Sequence, residues 1–255
     1  MGQDLFDILP AAVLVGLRIG MMTAFAPFFG DTALPTQAKI GFTVVLTAVM
    51  LPVHYPAAVP ATIAEWAQAA GGELALGLLM ALAMHFVFEA ARVAGNLMGL
   101  QVGYSLVNII DPQTQVDTPV MSVFTYTFAM LIFLRLNVHH SILRGLAHSY
   151  DVIGPGKAVV TLSTASSLLH GAAGMWGAGI EIAAPLVAAT LLMDIVLCFM
   201  SKASPQLPVM PIGIAAKALI GFSVLWIGMG NWPRIFERYL GLAWRFGERL
   251  LNTLH

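Results

Sequence analysis

Six stretches of this chain are nearly free of ionisable side chains, and they fix the class of structure it can adopt. They are Ile8–Phe29, Ile40–Val59, Leu74–Phe88, Val120–Leu136, Ala172–Met200 and Ile212–Gly230. A helix needs about 20 mostly apolar residues to cross the ~30 Å hydrocarbon core of a bilayer. The third run is short for that, but a helical pattern continues through Glu89 and Arg92 towards Tyr104. The fifth is long enough to tilt, or to bend at Pro185. Hydrophobic residues make up 58% of the chain and charged ones only 10%, where a soluble domain carries about 25% charged. With a formal net charge of −1, this excludes an ordinary soluble enzyme, a disordered chain and a nucleic-acid binder. The expectation is an all-α polytopic membrane protein with about six apolar helical segments. It would form one integral-membrane domain over residues 1–255, of which 231–255 is an amphipathic tail.

In that tail Trp232, Phe236, Tyr239 and Leu240 oppose Arg234, Arg238, Arg245 and Arg249, the pattern of an interfacial helix. The stretch from Arg135 to His148 reads as a second water-compatible segment. For six spans, Arg135, Arg144, Lys157 and the tail arginines outnumber Lys39, Arg92 and Lys202, which favours cytoplasmic termini. The first run reads as a retained helix, because Asp4 and Asp7 stand where a signal peptide carries positive charge.

Charges inside or against the apolar runs are Arg18, Glu73, Glu89, Arg92, Glu181, Asp194 and Lys217. Each costs about 2.5–3.5 kcal/mol if it faces lipid at mid-helix, so each must face a partner, water or another charge. Glu89 and Arg92, three apart, can pair on one helix face. Glycines at four-residue spacing, Gly95, Gly99 and Gly103 and again Gly16 and Gly20, favour close approach of helix backbones. Beyond Gly103 lies a polar connection carrying Tyr104, Ser105, Asn108, Asp111, Pro112, Gln113, Gln115, Asp117 and Pro119. Pro112 disfavours helix at Asp111 and Pro119 resets the backbone. A polar loop between apolar helices is either a surface turn or lines a protein-walled cavity, and the two readings stand level here. His139, His140 and His148 lack acidic or cysteine partners at ligand spacing, so no metal or cofactor is expected. The single Cys198 excludes an intramolecular disulfide. No nucleophile elbow, phosphate loop or zinc-protease motif occurs.

The stretch Ala90-Ala91-Arg92-Val93-Ala94-Gly95-Asn96-Leu97-Met98-Gly99-Leu100-Gln101-Val102-Gly103, followed by Asp111-Pro112, resembles the signature of the FliR family, called SctT in injectisomes. Arg18, Ala26-Pro27-Phe28 and Pro35 are similar to that family's opening helix and turn. Phe133-Leu134 with Asn137 and His139 resembles the stretch after its fourth segment. Ser204-Pro205-Gln206-Leu207, with Gly213, Lys217 and Gly221, resembles the turn before its last segment. Pro208 and Ala215 depart from the usual pattern there.

The resemblance implies a non-enzymatic, cofactor-free subunit of the type III protein export gate, multi-pass in the bacterial inner membrane at the flagellar basal body. One copy would join FliP and FliQ in a cone-like helical pore built of kinked hairpins, much of it above the membrane plane. FlhB and FlhA would be further partners, and unfolded rod, hook and filament subunits the cargo. The connection Tyr104–Pro119 would plug the closed pore. Gly16, Gly20, Gly95, Gly99 and Gly103 would pack helices, and Arg18, Glu89, Arg92, Gln101, Asp194 and Lys217 would be buried polar positions. Pro205, Gln206 and Gly213 would shape the last hairpin. The injectisome paralogue and, from another class, a small secondary transporter using the intramembrane charges are the alternative readings.

Overall fold

The computed structural model describes residues 2–31, 33–56, 59–103, 119–159, 162–206 and 209–253. Among these residues the chain is all-α: α1 Gly2–Phe25, α2 Thr36–Met50, α3 Ile63–Val102, α4 Val120–Arg135, α5 Val138–Val152, α6 Leu162–Ala203, α7 Val209–Met229 and α8 Trp232–Thr253. Four are long and apolar enough to cross a membrane: α1 from Ile8, α3, α6 from Leu168, and α7 from Pro211. The consecutive helices α4 and α5 make a fifth candidate if that bent pair is one span. The protein is therefore a polytopic helical membrane protein, and the apolar runs resolve less evenly than six equal spans.

The second run ends early. Leu51 caps α2 by donating its N–H to Thr47 O, and the chain reaches Pro52 one residue later. Proline lacks an N–H and clashes with the preceding turn, so α2 stops at 15 residues. That is about 22 Å at 1.5 Å per residue, too short to span the hydrocarbon. The third run begins much earlier than its apolar stretch. Thr62 accepts from the Glu65 N–H at 3.2 Å, while the Glu65 carboxylate reaches back to the Ala61 N–H at 2.9 Å. This reciprocal cap closes orphan donors and starts α3 at Ile63, giving 40 residues.

Asn137 lies between α4 and α5 in the left-handed region, φ 53° and ψ 30°. Asn tolerates that conformation better than most residues, and the helical path breaks there. Most of the stretch Arg135–His148 falls in helix α5, which buries Ile142, Gly145, Leu146, Ser149 and Tyr150. Their spacing is that of a one-sided helix; its histidines and Arg144 occupy the other positions.

The helices cluster into two compact units. One comprises Met1–Phe86, Phe133–Ala172 and Leu240–His255; the other comprises Val87–Ile132 and Ala173–Tyr239. In the first, Leu76, Leu79, Ile153 and Ala158 form a buried cluster against which Met80, Val152, Leu168 and Phe246 pack. Thr43 and Thr47 of α2 sit against Gly20 and Gly16 of α1, and the Phe29 and Phe42 rings stack at 5.2 Å. In the second, Thr125 of α4 donates to Ala91 O at 2.8 Å and Ser122 to Arg92 O at 3.2 Å. Those hydroxyl bonds need close backbones, which Gly95 permits: a Cβ there would lie 2.3 Å from Thr125 Oγ1 and 2.4 Å from Ser122 Cα.

Candidate functional site

The most buried polar group in the first unit is an ion pair. Arg18 of α1 and Glu73 of α3 both have side chains with 0% exposure. Arg18 Nε donates to Glu73 Oε2 at 2.7 Å, and Nη2 donates to Oε1 at 3.0 Å, a bidentate fork. Nη2 also donates to Ile153 O at 3.0 Å, and Nη1 to Ser149 Oγ at 3.1 Å. The Ser149 hydroxyl in turn donates to Leu146 O at 2.7 Å. The Gly156 N–H completes the Glu73 shell at 2.7 Å from Oε1. Above the guanidinium the Tyr150 ring lies 4.1 Å from Cζ, and its hydroxyl donates to Val15 O at 2.8 Å.

Three glycines make room for this arrangement. Gly156 has φ +82°, a conformation that costs an L side chain but not glycine. A Cβ on Gly72 would meet Ala158 O at 2.0 Å, and one on Gly77 would meet Arg18 O at 2.4 Å. The pair thus ties α1, α3, the end of α5 and the following turn into one clasp. Every charge in it is hydrogen-bonded, the condition under which a buried ion pair is tolerated. Next to it, His54 Nε2 and Asp151 Oδ1 are 3.1 Å apart, and the His54 ring lies 5.4 Å from that of Tyr150.

The second unit holds three further pairs. Arg92 Nε lies 3.5 Å from Glu89 Oε1, and its guanidinium sits 4.3 Å from the Tyr126 ring centre. Lys217 of α7 pairs with Asp194 of α6. Glu181 of α6 accepts from Arg238 and Tyr239 of α8. The Glu181 carboxylate holds the Arg238 guanidinium above its ordinary pKa, and burial followed by the same carboxylate raises the Tyr239 phenol. Each acid faces a base, so none of these pairs presents a bare charge to an apolar surrounding.

The structure places the other sequence-derived candidates as follows. A Cβ on Gly16 or Gly20 would meet Thr47 or Thr43 at ordinary van der Waals distance, and one on Gly99 would lie 3.4 Å from Met121 Cβ. Gly103 ends α3 with φ 93°. Gln101 lines an apolar groove with Leu97, Ile180, Val187 and Leu191. Pro205 and Gln206 form an exposed turn after α6. A Cβ on Gly213 would meet Leu197 Cδ1 at 2.8 Å, and one on Gly221 would meet Val102 Cγ2 at 2.7 Å. Tyr104, Ser105, Asn108, Asp111, Pro112, Gln113, Gln115 and Asp117 lie outside the described residues; Pro119 is described and exposed. Among the described residues no group of three His, Cys, Asp or Glu side chains could hold a metal ion.

Sequence reading noticed Arg18 and Glu73 as costly charges but not as partners, and it missed Ser149, Tyr150, Gly72, Gly77 and Gly156. The usable signal was the buried spacing Ile142, Gly145, Leu146, Ser149 and Tyr150, which marks α5 as a packing helix.

These features define a polytopic helical membrane protein in which Arg18, Arg92, Lys217 and Arg238 pair with Glu73, Glu89, Asp194 and Glu181. A sequence profile for the bacterial export proteins, family 1, matches residues 9–243. The chain belongs to that family. It is similar to the flagellar biosynthetic protein FliR of Bacillus subtilis (strain 168), at 29% identity over 231 residues and 89% of each chain. The FliR of Escherichia coli (strain K12) is 25% identical over 211 residues, covering 82% of this chain and 80% of the relative. The FliR of Borreliella burgdorferi (strain ATCC 35210 / DSM 4680 / CIP 102532 / B31) is 27% identical over 256 residues, covering 93% and 88%.

Proposed function

We propose that this chain is a structural and gating subunit of the flagellar protein export apparatus in the bacterial inner membrane. It assembles with FliP and FliQ, works with FlhB and FlhA, and passes unfolded flagellar subunits without covalent chemistry. Family membership and the names of the relatives support the flagellar reading. The observation that carries an assembled gate, rather than a solitary membrane protein, is helix length against exposed apolar surface.

α6 has 42 residues, about 63 Å at 1.5 Å per residue, twice the ~30 Å of a bilayer core. Between Leu169 and Phe199 one side of it leaves large apolar side chains exposed, among them Leu169 72%, Trp176 57%, Leu192 64% and Phe199 69%, while Ile182, Leu186 and Leu197 are buried. Lipid can cover only about half of such a helix. The rest would meet water, at about 25 cal/mol per Å² of apolar surface, unless other protein chains cover it. The polar connection 104–119 is then the segment we assign to closing the pore, as the resemblance implies.

The test is purification from native membranes in mild detergent through a C-terminal tag, with the particle's mass and composition determined. The expected result is a hetero-oligomer containing FliP and FliQ. A monomer or homo-oligomer that catalyses solute flux alone in vesicles would refute the proposal. Injectisome counterparts in place of FliP and FliQ would keep the gate and change its cargo.

A further inference from the structure

A pocket in the first unit has no part in the gate reading. Met80 and Met84 of α3, Ile142 and Gly145 of α5, and Ala243 and Trp244 of α8 line it, with the exposed His148 and Glu248 as its lips. Its volume is about 40 Å³, whereas an engineered cavity that takes benzene measures about 150 Å³. The slot therefore has room for a slender aliphatic chain and not for an aromatic ring. Glu248 sets its charge. Oε1 accepts from Trp244 Nε1 at 2.9 Å, which holds the carboxylate beside the indole and leaves Oε2 without a partner. Among the described residues no Lys or Arg pairs with it. Arg245 and Arg249 lie about 150° or more round α8 from the middle of its pocket face, and Arg144 about 100° round α5 from Gly145. The other lip, His148, has Asp151 Oδ2 at 3.9 Å from its Nδ1, a second carboxylate beside the mouth.

We infer that this pocket takes a lysine side chain from another protein chain of the assembled complex. An apolar slot that ends at a carboxylate matches a four-carbon stem carrying an ammonium. Seating the stem removes apolar surface of both partners from water, and the ammonium meets Glu248 Oε2 and the Trp244 ring together. Arginine fits less well, because its fork seeks both oxygens of a carboxylate and Trp244 already holds one. A leucine would fill the slot but leave Glu248 unpaired at its edge. The lysines of the first unit are engaged elsewhere. Lys39 donates to Gly30 O at 2.9 Å, and the Lys157 stem lies along Gly154. The inference requires a partner chain but not the identity of that chain, so it does not depend on flagellar cargo.

The experiment is zero-length cross-linking of the complex purified from native membranes, using a water-soluble carbodiimide that joins a carboxylate to an amine in contact with it. Peptide mass spectrometry then reads what each acid has joined. The expected product links Glu248 to one lysine of another chain, in higher yield than any product of Glu65, which is exposed but bonded to the Ala61 N–H. Trp244→Leu keeps Glu248 reactive but removes the ring and its N–H. It should lower the yield about fivefold, the usual weight of a cation–ring contact at a partly exposed site. If that variant fails to fold, competition on the unmutated protein decides. n-Butyltrimethylammonium, which has stem and charge but no reactive amine, should suppress the product, and tetramethylammonium should not. No Glu248 product in a hetero-oligomeric particle overturns the inference and leaves the gate reading standing. Products spread over many lysines, or no more frequent than those of Glu65, mark chance collision and overturn it as well. So does a product with a lysine of this chain or with a lipid amine. A particle lacking FliP and FliQ in which Glu248 still joins one lysine of a different protein would sink the gate reading and keep this one.

Discussion

Replacing Glu73 by Gln removes one charge from the Arg18 clasp with almost no change in shape. Arg18 then keeps Ser149 Oγ and Ile153 O as acceptors but loses its counter-charge at 0% exposure. One of the two acceptors, at 3.0 Å from Nη2 or at 2.7 Å from Nε, becomes an NH2 group, because the amide presents only one oxygen. Removing one partner of a buried pair costs about 3–5 kcal/mol, since the remaining charge stays desolvated. The double change Arg18→Met/Glu73→Gln removes that orphan. It leaves Ser149, Ile153 O and the Gly156 N–H with weakened bonding, at about 1 kcal/mol each where water cannot reach. The double variant should therefore be no worse than the single one, a coupling of about 2 kcal/mol or more. Denaturant unfolding in mild detergent, followed by tryptophan fluorescence, measures it. A Glu73→Gln protein as stable as the unmutated one, or a double variant as weak as the sum of its singles, would refute the claim that this pair holds α1, α3 and α5 together.

Gly95→Ala should destabilise the α3–α4 contact by about 1–3 kcal/mol, because overpacking against backbone cannot relax cheaply. Gly99→Ala, whose Cβ would sit 3.4 Å from Met121 Cβ, should cost little; thermal unfolding of the two variants in detergent gives the comparison. Asp194→Asn leaves Lys217 without its partner on an apolar helix, at about 2 kcal/mol, and adding Lys217→Met should restore the yield of assembled complex. Shortening 109–119 in a correctly assembled gate should raise membrane conductance, and unchanged conductance would remove the plug assignment.

The helical, membrane-spanning character was legible because it rests on local composition: runs such as Ala172–Met200 admit few other structures. Helix ends were less legible where the decisive signal was polar. Thr62 and Glu65 start α3 within a stretch whose apolar pattern is weak, and Pro52 ends α2 inside an apolar run. The clasp was hidden for a different reason. Arg18 is separated from Glu73 by 55 residues and from Ile153 by 135, and no periodicity reports on such distant partners. Its burial cost shows in the sequence; the choice of Glu73 over Glu89 or Asp194 does not. Gly72 and Gly77 were equally silent, because their four-residue neighbours are Leu76 and Ala81 rather than further glycines. Glycine spacing singled out Gly95, Gly99 and Gly103 together, and only the three-dimensional packing separates the tight contact at Gly95 from the ordinary one at Gly99.

That separation bears on how the connection 104–118 is held. Its two flanking helices are joined a few turns away by contacts that tolerate no added bulk: Thr125 on Ala91 O, Ser122 on Arg92 O, and Arg92 over the Tyr126 ring. Hydroxyl bonds to helix carbonyls are individually small, about 1 kcal/mol. Together with the Gly95 contact, however, they fix the spacing of the two anchor points. Fixed anchors limit where a loop of that length can reach, since loop closure depends on end separation as well as on length. A closing segment needs fixed anchors of this kind if it is to seal. Gly95→Ala should therefore raise conductance of the assembled gate even though residue 95 lies in α3 and outside the loop. Gly99→Ala, carried on the same helix and nearer the loop, should not. Equal leakage from the two would mean that distance from the loop, and not the α3–α4 contact, sets the seal.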